Sequence, residues 1–455
     1  MAIGAGSVWE YGTGGNNNNG GGYDSTIAGA GTDYSRQDSA QATFTDELAI
    51  TAGSTTLTST SAFFTSAMVG NAINIYETDS LGTNGFYFIT GYTNTTTVTI
   101  DRAVSGSNNI TTASGNVGGR LLVPTDTHLE AFVAGNKVWF AYGTYTITAN
   151  VSISIGVGTN NNHVVHEGYY STRGDSPTGA NRPTINQTTY EYTLGTCTTV
   201  FNMIFSGSRN FALSTIVAPF EFINCKFENT YNASTAYCLI PTSTGGKYSG
   251  CEFRAQYGRA VAIASSGFNL FRRCYFHDSV TGIYTQSASQ LMLLECVIDT
   301  CTNGILWSAN SNPGSVIESS VFYACTTAVD STGKYMRNAS FTNNIFHGGS
   351  SNQTNCILDN DTNKSSSFRF NLFYNYTNNL YTGFGTLDST NITGSDPVFT
   401  DAANGDFTLQ SGSPALNAGA SLTMAGLTGA YKWNIGVDQD DNAATASVES
   451  YAFWT

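Results

Sequence analysis

One six-residue unit, repeated along the second half of the chain, restricts the fold more than any other feature. The segments Phe222-Ile-Asn-Cys-Lys-Phe227, Tyr248-Ser-Gly-Cys-Glu-Phe253, Phe271-Arg-Arg-Cys-Tyr-Phe276, Leu293-Leu-Glu-Cys-Val-Ile298, Ile317-Glu-Ser-Ser-Val-Phe322, Phe341-Thr-Asn-Asn-Ile-Phe346 and Phe368-Arg-Phe-Asn-Leu-Phe373 align without gaps. Their fourth residues, Cys225, Cys251, Cys274, Cys296, Ser320, Asn344 and Asn371, are 26, 23, 22, 24, 24 and 27 residues apart, and Asn202 is a candidate earlier member. After a polar turn each unit is followed by a second short apolar run: Tyr237–Ile240, Ala260–Ile263, Gly282–Tyr284, Gly304–Trp307, Ala328–Val329, Cys356–Leu358 and Leu380–Tyr381. A period near two dozen residues built from short strands marks a solenoid whose turns stack on one another. Helical solenoids need a 3.6-residue apolar period, which this region lacks, and propeller blades need repeats of about 40 to 50 residues. The expected fold is an all-β, single-stranded, right-handed parallel β-helix.

Alternation along a strand places the fourth and sixth residues of each unit on one side. With coils about 4.8 Å apart, equivalent residues lie above one another, Cys on Cys and Phe on Phe, and fill the interior. Small fourth residues suit an inward-facing bend, and Asn344 and Asn371 can hydrogen-bond along the stack. The nine cysteines are odd in number and form no CxxC pair. They read as buried small side chains rather than disulfides or metal ligands.

Composition narrows the partners. Only 11% of the 455 residues are charged and the net charge is −14, so a phosphate-neutralising surface, and with it nucleic acid, is excluded as an expectation. No apolar run is long enough to span a bilayer, so no membrane insertion is expected. The segment Met1-Ala-Ile-Gly-Ala-Gly-Ser-Val-Trp9 lacks the basic and apolar regions of a secretory leader, which leads to the expectation of a protein made in a host cytoplasm that stays there or leaves it by assembly or lysis, as a virion component does. Of the histidines only His163 and His166 are closely spaced, which is too little for a metal site; neither metal nor cofactor is implied.

Four regions follow. Residues 1–43, rich in Gly and Asn, read as an extended arm that orders on something else, or as a flexible tail. Residues 44–118 alternate like a small antiparallel β module, with strands at Thr55–Thr58, Ala72–Ile75, Phe86–Ile89 and Thr96–Ile100. The β-helix occupies 119–395, its first coils near Lys137–Ile147 and Val151–Ile155. A C-terminal coil and cap, 396–455, is expected to cover the last coil, whose open end would otherwise expose unpaired backbone.

The closing segment, Asp396-Pro-Val-Phe399, Asn404-Gly-Asp-Phe-Thr-Leu409, Gly412-Ser-Pro-Ala-Leu-Asn-Ala-Gly419 and Asn434-Ile-Gly-Val437, resembles that of the pectate-lyase-like right-handed β-helix superfamily. The resemblance covers residues 137 to 437 and implies the fold; that superfamily holds lyases, glycosidases and non-catalytic structural proteins, so it does not imply an activity. Trp9, Asn19-Gly-Gly-Gly-Tyr23, Gly31-Thr-Asp-Tyr-Ser35, Met68-Val-Gly-Asn71 and Glu167-Gly-Tyr-Tyr-Ser-Thr-Arg-Gly-Asp175 are similar to tracts of phage virion-associated β-helix proteins. This second resemblance implies a spike, fibre or decoration protein, and trimers are common among such spikes.

Catalysis on this fold needs carboxylates, with an Arg or Lys base or a second carboxylate, on neighbouring coils of one face. Three residues after the fourth-position residue come Glu228, Arg254, His277, Asp299, Tyr323, His347 and Tyr374, and one residue after it come Lys226, Glu252 and Tyr275. Ionisable groups therefore gather on four successive coils of an otherwise charge-poor wall, and the candidate catalytic residues are Glu252, Asp278, Asp299, Arg254, Arg273 and His277. The alternative is that they are ordinary solvated pairs. The sequence-level expectation is a non-enzymatic virion structural protein whose N-terminal arm contacts other virion proteins and whose β-helix binds a host-surface polysaccharide, with a homotrimer as one possible assembly. A polysaccharide-degrading tailspike, lyase or hydrolase, and a bacterial surface adhesin are the rival readings.

Overall fold

In a computed structural model the described residues are 7–76, 84–104, 109–152, 162–187, 190, 192–194, 197–207, 212–213, 220–234, 236–241, 245–264, 267–286, 289–308, 314–332, 334, 336, 338–351, 353, 355–359, 366–377, 387–422 and 431–437. The chain forms two compact units, Met1–Ile204 and Phe205–Thr455. The expected strands at 153–155 and Leu380–Tyr381 lie outside the described residues.

In the first unit six antiparallel strands close into a barrel, in the order Ala42–Ile50, Thr56–Ser59, Thr97–Ile100, Gly85–Asn94, Ala72–Tyr76 and Ile110–Val117. Alternating inward residues, among them Phe44, Leu48, Ile73, Ile75, Ile89 and Val98, fill its core, and closure leaves no free sheet edge. Parallel coil strands follow: Lys137–Ala141 pairs with Val164–Tyr169, which pairs with Thr198–Phe201. The Gly/Asn-rich segment is not an arm that orders elsewhere. Its strand Val8–Tyr11 pairs in parallel with Lys137–Ala141 and turns back on Gly22–Tyr23. Its glycines serve close approach rather than flexibility: a Cβ on Gly20 would lie 2.0 Å from the Ala72 carbonyl oxygen.

The side chains of this segment explain why it docks. Trp9 is fully buried against Phe86, Phe88 and Phe132 at ring separations of 5.4, 5.7 and 5.2 Å, and its indole N–H donates to Asn136 Oδ1 over 3.1 Å. Glu10, also fully buried, meets Arg173 at 2.6 Å and Arg120 at 3.6 Å and accepts a hydrogen bond from the Tyr169 hydroxyl. Arg173 continues to Asp33 at 3.3 Å and to the Ser35 hydroxyl at 3.1 Å, and Asn71 accepts the Tyr34 amide and donates to the Thr32 carbonyl. Residues scattered from Glu10 to Arg173 thus converge on one polar junction.

The second unit is a parallel β-helix with three strands per coil. One sheet runs Phe220–Ile223, Gly245–Ser249, Phe268–Arg272, Gln290–Leu294, Val316–Glu318, Ser340–Thr342, Ser367–Arg369. A second runs from Lys226–Asn229 through Glu252–Ala255, Tyr275–His277, Val297–Asp299, Val321–Tyr323 and Ile345–His347 to Leu372–Tyr374. The third contains Tyr237–Pro241, Arg259–Ile263, Thr281–Thr285, Asn303–Trp307, Thr327–Ser331 and Asn355–Asp359.

The six-residue unit is therefore a corner between two strands and not one strand. Its third residue, Asn224, Gly250, Arg273, Glu295, Ser319, Asn343 or Phe370, has φ between 50° and 60° in every coil. This left-handed residue shifts the alternation by one, so first, fourth and sixth residues all point inward and are buried. Rings stack from coil to coil, Phe227 on Phe253 and Phe253 on Phe276 at 5.0 Å, Tyr248 on Phe271 at 4.4 Å. The earlier member of the series is shifted by one: Asn202 is the left-handed residue, φ 57°, and the buried Met203 holds the fourth position.

All nine cysteines are free and buried. The thiols of Cys251, Cys274 and Cys296 donate to the carbonyls of Phe222, Tyr248 and Phe271, the first residues of the preceding units, at 3.4 to 3.5 Å. The amides of Asn344 and Asn371 make the same bond to Ile317 and Phe341 at 2.9 Å, and Asn391 to Phe368 at 2.8 Å. Each asparagine oxygen also accepts the backbone N–H of the preceding fourth residue: Asn344 from Ser320, Asn371 from Asn344, Asn391 from Asn371, all at 2.9 Å. The asparagine stack expected from the sequence is present and gains Asn391.

The expected cap over the last coil falls partly on residues 423–430 and 438–455, outside the described residues; the described part of the C-terminal segment packs elsewhere. It lies along the outer face of the second sheet, where Phe407, Leu409, Ala415 and Ile435 bury Val297, Val321, Ile345 and Leu372. Asn343 anchors it, accepting the Ala420 N–H on its side chain at 2.8 Å and the Gly436 N–H on its backbone at 2.7 Å. The reason is apolar: the outward residue after the fourth position changes from Lys226 and Glu252 to Val, Ile and Leu in the later coils, and that stripe needs a cover.

Two outcomes follow. Asn371→Ala removes the acceptor for the Asn344 N–H and the donor for the Phe341 carbonyl; at about 1–3 kcal/mol for each buried group left unsatisfied, urea denaturation should show a loss of at least 2 kcal/mol. In the first unit burial pushes the imidazoles of His128 and His166 down, to about 4 and about 3. His166 stacks on Phe140 at 5.9 Å and faces Phe132; His128 lies against Tyr11 and Phe86 and bonds to the Asn17 carbonyl. The unfolded chain protonates near pH 6.5 and the folded unit does not, so stability is full above that pH and falls as pH drops below it, by about 2 kcal/mol per histidine at pH 5. Denaturation midpoints measured from about pH 7.5 to 5 should decline, and His166→Phe should flatten the decline.

Candidate functional site

The second sheet aligns the outward candidates as the repeat requires: Glu228, Arg254, His277 and Asp299 occupy one row, Lys226, Glu252 and Tyr275 the next. Five of the six candidates come together. Lys226 Nζ lies 3.0 Å from Glu252 Oε1, which also meets His277 Nε2 at 3.0 Å. His277 Nδ1 lies 3.1 Å from Asp278 Oδ2, Asp278 lies 3.4 Å from Arg254 Nε, and Arg254 reaches Glu228 at 2.7 Å. Asp299 joins through Tyr275, whose hydroxyl donates to it at 2.8 Å and whose ring stacks on His277 at 4.3 Å. Arg273 does not join. It is the left-handed corner residue of its coil, which turns its side chain away to pair with Glu295 at 2.5 Å.

The two innermost carboxyls differ. Burial raises the Glu252 carboxyl, but the hydrogen bond from His277 and the charge of Lys226 outweigh it and hold the group below its ordinary value. Burial also dominates at Asp299, and there the hydrogen bonds from Thr300 and Tyr275 do not compensate, so its carboxyl sits above the usual range. Opposed shifts of this kind are what acid–base pairs use. Here, however, Glu252 and Asp299 are each about nine-tenths buried, and their oxygens are held by Lys226, His277, Tyr275 and Thr300. Asp278, half exposed, opens most to solvent, with Arg254, Glu228 and Lys226 partly exposed, and Tyr275 packs with the C-terminal segment at the other end of the row. The geometry is that of a chain of ion pairs spanning successive coils.

Next to this network lie two side chains that the repeat identifies only in retrospect. Tyr231 and Tyr257 each stand six residues after a fourth-position cysteine, in the turn that leaves the second sheet, and are 48% and 41% exposed. Each stands two residues after the paired strand ends Asn229 and Ala255, on successive coils whose turns differ in length, 230–236 against 256–258. Reading the outward positions only to the third residue after the cysteine stopped short of them. Among the described residues no group of three or more His, Cys, Asp or Glu is placed to hold a metal ion.

Residues 210–373 match the family model described as right handed beta helix region, and the fold is accordingly a right-handed parallel β-helix. No curated protein matches the chain. Among solved structures, the pectate lyase Pel9A is similar at 13% identity, covering 71% of this chain and 91% of that one with a TM-score of 0.45. A rhamnogalacturonan lyase follows at 11% identity, 58% and 84% coverage and a TM-score of 0.34. The tailspike protein gp49 of Pseudomonas phage LKA1 matches at 10% identity, 78% and 64% coverage and a TM-score of 0.21.

If the network is structural, Glu252→Ala, which strips Lys226 and His277 of their shared carboxylate, should lower stability by about 2–3 kcal/mol. Asp278→Asn, at a half-exposed position, should cost under about 1 kcal/mol. Thermal denaturation of the two variants checks both values.

Proposed function

We propose that the protein is a non-enzymatic structural component of a virus particle whose solenoid binds a surface polysaccharide through its side wall. The observation that carries this reading is the exposure of Tyr231 and Tyr257 in the turns of successive coils, just after strands whose ionisable groups satisfy one another. Exposed aromatic faces on successive coils suit the apolar faces of sugars, with phenol hydroxyls and the neighbouring ion pairs as hydrogen-bond partners. Carboxylates already engaged by cations and a tyrosine favour holding a glycan over cleaving it. The placement in a virion is supported by the front-end tracts that resemble phage proteins, whose residues Trp9, Glu10, Asp33, Asn71 and Arg173 build the buried junction of the first unit. Contacts with other particle proteins then involve the ordered surface of residues 7–43, and assembly as a homotrimer belongs to the same proposal.

The test uses purified particles and the isolated full chain. The chain should be found in the particles, and it should bind a host-surface polysaccharide without releasing reducing ends or unsaturated products. The double variant Tyr231→Ala/Tyr257→Ala should weaken binding about tenfold. Particles that lack the chain would overturn the virion assignment, and product release abolished by Glu252→Ala or Asp299→Ala would establish the depolymerase instead.

A further inference from the structure

The third sheet carries a feature that the candidate network does not include. Arg259, half-buried, lies flat on Tyr284 of the next coil, its guanidinium carbon 3.6 Å from the ring centroid. On the other side it faces Tyr237 of the preceding coil at 5.5 Å and donates from Nη1 to that phenol oxygen over 3.1 Å. The exposed Gln286 amide reaches the same oxygen at 3.4 Å. Three coils thus fix the plane and the position of one guanidinium, yet among the described residues no carboxylate lies within ion-pair distance of it, whereas Arg120, Arg173, Arg254 and Arg273 each have one. In a chain with 32 acidic and only 18 basic residues, an immobilised arginine without an acid partner is a donor set held ready for an external anion. A stacked guanidinium retains its in-plane N–H groups and loses little freedom on binding, which is the arrangement that recognises carboxylates. Along the sheet the register continues from Arg259 to Thr281, Asn303, Thr327 and Asn355, an uncharged row of hydroxyls and amides in which Asn303 and Asn355 are partly exposed.

We infer that Arg259, clamped between Tyr237 and Tyr284, is a binding site for the carboxylate of an acidic sugar, so that the glycan held by this protein carries uronate residues. This rests on the polysaccharide-binding reading above and adds its chemical class and a second contact face. The site binds and orients; it breaks no bond.

The experiment is titration calorimetry of the full chain with two probes: a glucuronate-containing hexasaccharide and its carboxyl-reduced, neutral counterpart. The acidic probe should bind at least tenfold more tightly. Arg259→Ala should abolish that preference, lowering affinity for the acidic probe by roughly 10- to 100-fold, as expected for a charge-assisted hydrogen bond. Arg259→Lys keeps the charge without the stacked fork and should fall between, and unchanged melting temperatures establish that both variants are folded. Equal affinity for the two probes, or an acidic-probe affinity that survives Arg259→Ala, would overturn this site while leaving glycan binding intact. Absence of binding to either probe would overturn the site, and only failure against the host-surface polysaccharide as well would remove the broader reading.

Discussion

The solenoid depends on one bond that recurs down its axis, from the fourth-position side chains of Cys251, Cys274, Cys296, Asn344 and Asn371, and from Asn391 after them, to the first-position carbonyl of the corner before each. The left-handed residue that makes the corner would leave that carbonyl facing the interior, where an unpaired acceptor is costly. Cysteine meets the need with a weak thiol donor at 3.4 to 3.5 Å, and asparagine with an amide at 2.8 to 2.9 Å whose oxygen also accepts the backbone N–H of the preceding fourth residue. The exchange of Cys for Asn along the column is therefore a change of donor within one hydrogen-bonded scheme, while Ser320 between them turns its hydroxyl to the Glu318 carbonyl of its own corner. It coincides with the approach to the last coils, where each fourth residue must also receive an N–H from its neighbour.

The repeat made this column legible before any coordinates, because burial selects small and aromatic residues at fixed spacing. The corner was not legible, since the residues that adopt φ near +55° include Arg273, Glu295, Ser319 and Phe370, none of which announces a turn; their strain is offset by the bonds their own N–H groups make to the next coil, to backbone carbonyls for the first three and to the Thr390 hydroxyl for Phe370. The same blind spot displaced the first member from Met203 to Asn202. At the front end, a run of Gly and Asn suggested freedom, whereas Gly20 is small because the Ala72 backbone lies against it. Pairings such as Glu10 with Arg173 span 163 residues and leave no trace in local pattern.

The candidate site shows what counting along a repeat places and what it leaves open. The rows on the second sheet were placed by counting from the cysteines, and counting is reliable when the backbone register is fixed. What counting cannot supply is which partner each group faces. Lys226, Glu252, His277, Asp278, Arg254 and Glu228 prove to be consecutive links, so the charges that looked like a constellation are mutually consumed.

The reason charge gathers on those coils lies in the C-terminal segment. One outward column runs Lys226, Glu252, Tyr275, Val297, Val321, Ile345, Leu372, and it changes from polar to apolar where Phe407, Leu409 and Ile435 cover it. A covered strand face is free to be apolar, and an open one must be solvated. Tyr275 stands at the boundary, with its ring among the covered residues and its hydroxyl on Asp299. The cluster is thus the remainder of a wall that the chain has otherwise folded over. That moves the search for recognition away from the charges and towards the parts of the solenoid that remain open without being self-satisfied: the tyrosine turns and the arginine held flat on the third sheet.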